Sequence, residues 1–109
     1  MAGLGANSTT GAKFDIAEGD DGTVTVNVSG ELDITNVEAL GTAVAPAIER
    51  EPERLIVNAR ELRFADSSAI ALWVQWATAV RKIELRDASP LLRRVVETMG
   101  LTEMLGVTP

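Results

Sequence analysis

Two short clusters of carboxylates and hydroxyls are where this chain could do chemistry. Asp66-Ser67-Ser68 stands between a strongly apolar stretch, Leu55-Ile56-Val57, and a long run with helical spacing. A helix start leaves backbone N–H groups without partners, and Asp and Ser are residues that satisfy them. The same start carries positive potential and suits an anion. The two hydroxyls therefore have two readings. They cap a helix and do nothing else, or one of them accepts a phosphoryl group that is added and later removed. Asp33, in Gly30-Glu31-Leu32-Asp33, is the other carboxylate that directly follows an apolar strand pattern.

Other chemistry is poorly served. The chain has no His and no Cys. That removes the commonest general base, the Ser-His-Asp triad, thiolate nucleophiles and the usual metal ligands. Asp15, Asp20, Asp21, Asp33 and Asp66 do not fall at a metal-ligand spacing. Ser29-Gly30-Glu31 holds a single Gly, so no phosphate-cradling loop is present. A formal net charge of -6 opposes binding to a nucleic-acid backbone or an anionic membrane surface. No apolar run is long enough to insert in a bilayer. The expectation is a binding protein rather than an enzyme, with no cofactor and no metal. Met1 to Thr10 lacks the basic start and apolar centre of a secretory signal, which makes the cytoplasm the expected location. Residues 1–12 are small and polar and read as a disordered leader, with a single domain over 13–109.

The elements that must position these residues follow from periodicity. Phe14-Asp15-Ile16-Ala17 and Thr23 to Ser29 alternate apolar with polar around Asp20-Asp21-Gly22, the pattern of a β-hairpin. Thr35-Asn36-Val37-Glu38 has capping-box spacing, with Thr35 as N-cap. Val37, Leu40, Val44 and Ile48 follow at helical spacing, interrupted by Pro46. Leu55-Ile56-Val57 is apolar without alternation, as in the middle of a sheet, and Ala59 to Ala65 reads as a loop. A second helix is expected from about Ser68 to Val80. Its Trp73 and Trp76 fill the core or offer a patch for self-association. Lys82 to Arg86 alternates as a strand. Ser89-Pro90 opens a third helix whose inner face is read as Leu91, Leu92, Val95, Val96 and Met99, closed by Gly100. The order β-β-α-β-α-β-α implies an α/β fold with a mixed, mostly parallel four-stranded sheet and right-handed crossovers. In such folds sites gather beyond the carboxyl ends of strands, which is where Asp33 and Asp66 stand.

Three stretches, in this order and spacing, resemble the STAS domains, and among them the anti-sigma-factor antagonists of bacteria. They are Gly30-Glu31-Leu32-Asp33, Leu55-Ile56-Val57-Asn58 through Phe64-Ala65-Asp66-Ser67-Ser68, and Ala88-Ser89-Pro90 through Met99-Gly100-Leu101. The resemblance spans about Phe14 to Leu105. It implies a STAS-like fold and a transcription regulator that works by protein–protein interaction. The unphosphorylated form binds an anti-sigma-factor serine kinase and releases the sigma factor. Phosphorylation of Ser67, with Ser68 as second choice, breaks that complex, and a serine phosphatase restores it. Asp33, Thr35, Asn36, Asp66, Ser67 and Ser68 would form the contact surface of a monomer or weak dimer. Where the family usually has Gly, this chain has Ala69. The family also contains structural subunits that dock on a transporter ATPase, in which the serines would be contact residues only.

Overall fold

Residues 5–9 and 11–108 are described in the computed structural model. The expected hairpin forms from Ala12–Glu18 and Thr23–Leu32, here β2 and β3, paired antiparallel with Phe14 opposite Val28 and Ile16 opposite Val26. Its turn is closed by Asp21, whose carboxylate accepts the Thr23 N–H at 3.0 Å. β4, Arg54–Ala65, pairs parallel with β3, and β5, Ile83–Arg86, pairs parallel with β4. Val24, Val26, Val28, Leu55, Val57, Ile83 and Leu85 thus line one buried face. Three helices cover it: α1, Val37–Glu49; α2, Ser67–Ala79; and α3, Pro90–Thr98. Leu40, Val44, Ile70, Trp73, Trp76, Leu92 and Val96 complete the same core. The other sheet face is polar. Asn58 donates to Asn27 at 2.8 Å, and Glu84 is held by Arg54 and Arg86 at 3.1 and 2.9 Å.

The sheet differs from the expected four strands. Gly5–Thr9, here β1, pairs antiparallel with β2, so the described sheet has five strands in the order β1-β2-β3-β4-β5. The stretch read as a disordered leader therefore contributes an edge strand, and Ala12 is a buried residue of β2. Residues 1–4, from the same expectation, lie outside the described residues. The segment Ala59 to Ala65, expected as a loop, is also strand. Register shifts between Asn27 and Ser29 and between Gly30 and Glu31 let β3 stay paired with β4 as far as Leu32 opposite Ala65. Gly30 makes this possible: its φ is +90°, and a Cβ there would sit 2.3 Å from the Gly11 carbonyl oxygen.

The helices carry three further corrections. α1 is preceded by Asn36, not Thr35, and forms no capping box. Pro46 does not break it, because Pro46 and Thr42, whose carbonyl loses its helical donor, are both on the exposed side. In α3 only Leu92 and Val96 are buried, while Leu91, Val95 and Met99 face out. A nine-residue helix at the sheet margin buries a narrower stripe than its sequence offers. Its end is as expected: Gly100 has φ +74°, and the Gly100 and Leu101 N–H groups close on Glu97 and Val96 carbonyls at 2.9 and 3.0 Å. Both tryptophans are core residues, with Trp73 1% and Trp76 4% exposed, which settles Trp76 as filler rather than patch.

Candidate functional site

Because Leu32 and Ala65 are paired at the ends of parallel strands, the chain leaves the sheet twice at one place. Asp33 follows the first exit and Asp66 the second. They are tied directly: the Asp66 N–H donates to the Leu32 carbonyl at 3.1 Å. The two polar clusters seen in the sequence are one corner of the molecule.

The first half of the corner is a self-bonded turn. The Asp33 carboxylate accepts the Thr35 N–H at 2.9 Å and the Thr35 hydroxyl. The Asp33 carbonyl accepts from Asn36 and Val37 at 3.1 and 3.0 Å, which starts α1. Asn36 is the brace beneath. Its side-chain oxygen accepts the Asp33 N–H at 3.0 Å, and its amide donates to the Glu31 carbonyl at 2.9 Å. Asn36 is 1% exposed, so its expected role as a contact residue is corrected. It holds the loop that other residues present. Thr35 is exposed and Asp33 half-buried, while Ile34 stands out at the loop tip.

The second half is a capped helix start. Asp66 is the N-cap of α2, and its Oδ1 accepts the N–H groups of Ser68 and Ala69 at 2.9 and 3.3 Å and also the Ser68 hydroxyl. The Ser68 hydroxyl is the leading cause that holds the Asp66 carboxyl below the usual range. Partial desolvation opposes it, and the Ser68, Ala69 and Ile34 amides add to it. Asp66 is an anion at neutral pH and is committed to structure. Ser68 is committed with it and is half-buried.

Ser67 is different. It is the first residue of α2, it is exposed, and among the described residues its hydroxyl makes no hydrogen bond. The two serines thus differ: Ser68 caps with Asp66, and the Ser67 hydroxyl is exposed and unbonded among the described residues. The methyl of Ala69, in the place where the resemblance predicts Gly, is 0% exposed. It points into the core and takes no room from the face that carries Ser67. Sequence reasoning did not find Asn36's role: an Asn directly before a helix signals a cap, whereas this side chain makes no cap bond and holds Asp33 and Glu31 instead.

Among the described residues no group of three or more Asp and Glu could hold a metal ion. Among them, too, no helix is long and apolar enough to cross a membrane. What the corner offers is an anion-tolerant hydroxyl set between two fixed turns, with one carboxylate on each.

Comparison with known proteins agrees with this architecture. A crystal structure of an anti-sigma factor antagonist from Mycobacterium paratuberculosis superposes with a TM-score of 0.83 at 20% identity, over 94% of this chain and 90% of that one. The anti-sigma factor antagonist SpoIIAA in its unphosphorylated form matches with a TM-score of 0.71 at 29% identity, over 88% of each chain. The phosphorylated form of SpoIIAA, the Bacillus cell fate determinant, matches with a TM-score of 0.66 at 29% identity, over 88% of this chain and 91% of that one. No curated protein sequence matches significantly. The family described as "Mlab, STAS domain" matches residues 17–106, the hairpin through the last turn, and the chain belongs to the STAS domain family.

Proposed function

We propose that this protein is an anti-sigma-factor antagonist switched by phosphorylation of Ser67. Unmodified, it binds an anti-sigma-factor serine kinase through the corner made by Asp33, Thr35, Asp66 and Ser67, and so frees the sigma factor. The observation that carries the reading is the division of labour between the serines. Ser68 is bonded into the cap, and Ser67 is exposed at the first helical position with its hydroxyl uncommitted. The similarity to SpoIIAA, solved in both unphosphorylated and phosphorylated forms, supports it.

The physics suits a switch. A phosphate adds about 1.5 to 2 negative charges and three acceptor oxygens. At the first position of α2 the helix dipole tolerates that charge. A partner packed against Asp33 and Asp66 would meet a third anion and its desolvation. A loss of about 3 kcal/mol in binding is a change of more than a hundredfold in Kd. Transfer of the phosphoryl group is left to the kinase, because the Asp66 carboxylate nearest Ser67 is already bonded to Ser68 and two amides.

The test is to incubate the protein with Mg-ATP and the anti-sigma-factor kinase of its own genome, followed by intact mass and site mapping. One phosphate on Ser67, absent in Ser67→Ala, is expected. Labelling of another residue, or none with a kinase that is active on its own antagonist, overturns the reading. An unlabelled protein that co-purifies with a transporter ATPase would favour the docking-subunit role instead.

A further inference from the structure

Beside the Ser67 corner lies an apolar surface that the switch does not use. The last residues of β4 and the first turns of α3 enclose a cleft of about 90 Å³, with Leu62 and Leu92 beneath and Phe64, Leu91 and Val95 at its mouth. Leu91 is 66% and Phe64 49% exposed, high values for side chains of this size. Val95 and Met99 continue the stripe along α3 at helical spacing. An apolar stripe of this kind marks a contact surface. The cleft has room for about three waters, the scale of one apolar side chain.

Two observations say what covers it. The first is position. Phe64 and Ala65 at the cleft lead directly into Asp66 and Ser67, so a partner seated on the corner reaches the cleft without a gap. The second is charge. The chain is acidic, yet a cation, Arg63, lines the cleft, and a second, Arg94, is exposed on the helix that forms its wall. The one ion pair of Arg63 among the described residues, with Glu31, is 4.0 Å long and exposed at both ends, too loose to hold it. Arg94 follows Leu91 by three positions and makes no ion pair among the described residues.

We propose that the footprint of the partner extends from the Ser67 corner onto the β4–α3 cleft, where a partner segment inserts one apolar side chain and sets carboxylates against Arg63 and Arg94. This rests on the reading given under Proposed function and adds the partner's chemistry to it. It also strengthens the switch. Arg63 is four residues from Ser67, at most about 14 Å along extended chain. A phosphate on Ser67 repels the partner's carboxylates and competes with them for Arg63.

The test measures Kd of the anti-sigma-factor kinase for the unmodified protein and five variants by titration calorimetry. Leu91→Glu and Phe64→Glu should each weaken binding at least about tenfold, the loss expected for a buried anchor. The thermal unfolding of Leu91→Glu should stay unchanged, since Leu91 is mostly exposed, whereas Phe64→Glu, at a half-covered site, is read against its own unfolding curve. Leu91→Ala should weaken it in the same direction without adding charge. Arg63→Gln combined with Arg94→Gln should flatten the dependence of Kd on salt. Thr78→Glu, exposed near the far end of α2, serves as the control and should change nothing. Cleft variants that bind within twofold of the unmodified protein overturn the footprint while leaving the kinase reading intact. A kinase that fails to bind the unmodified protein removes both.

Discussion

The separation of roles between Ser67 and Ser68 makes a quantitative prediction about stability. Asp66→Ala removes the acceptor of the Ser68 and Ala69 amides and the Ser68 hydroxyl. Loss of an N-cap costs about 1 kcal/mol, with an upper range near 2. Losing three bonds to one carboxylate oxygen places this variant at the upper end. A loss of about 2 kcal/mol lowers Tm by roughly 8 °C or more in a domain of this size. Ser68→Ala loses one hydrogen bond to a charged acceptor and should cost about 1 kcal/mol. Ser67→Ala loses no contact and should stay within about 0.5 kcal/mol of the parent. Urea unfolding followed by the fluorescence of the buried Trp73 and Trp76 reads all three. If Ser67→Ala is as unstable as either of the other two, Ser67 is a structural residue, and its hydroxyl cannot be described as uncommitted.

Three other outcomes follow from the geometry. The carboxyl of Asp66 is held low, and so is that of Glu84, where burial pushes up but Arg86 and Arg54 pull down more strongly. Folded values below the unfolded ones mean that their stabilisation is full above the ordinary carboxylate range and is lost as pH falls through the lowered values. The unfolding free energy should therefore decline on acidification from pH 7, and Asp66→Asn should flatten that decline. Stability that rises over the same interval would contradict it. Asn36→Ala strips the brace from the Asp33 turn and leaves buried backbone groups unpaired, a cost of about 2–3 kcal/mol, measurable by the same unfolding assay. Gly30→Ala must relieve both a φ of +90° and a 2.3 Å approach to Gly11, and should cost more than about 2 kcal/mol, seen as a fall in Tm.

The sheet core was legible because Val24, Val26 and Val28 alternate, and because Leu55-Ile56-Val57 is a short apolar run, rich in β-branched residues, between Pro52 and Asn58, which favours a central strand over a helix. The Asp66 cap was legible from its place before a helical run. Other features depended on contacts between distant segments. Arg60, Glu61 and Arg63 give residues 59–65 the look of a loop, and only the bulged pairing with β3 makes them strand. Gly5–Thr9 has little apolar content, and it is strand through its pairing with β2. The periodicity of α3 admits five inward residues, and the two that are buried depend on where the helix meets the sheet margin. At the site, residue types pointed to two hydroxyls at a helix start. Which of them was free depended on where the Asp66 carboxylate turned, and that is a matter of rotamer rather than of sequence.

The most direct measurement compares Kd of the anti-sigma-factor kinase for the unmodified protein and for the same protein carrying one phosphate on Ser67, at fixed salt. The account predicts a loss of more than about a hundredfold on modification. Equal affinity for the two forms would contradict it.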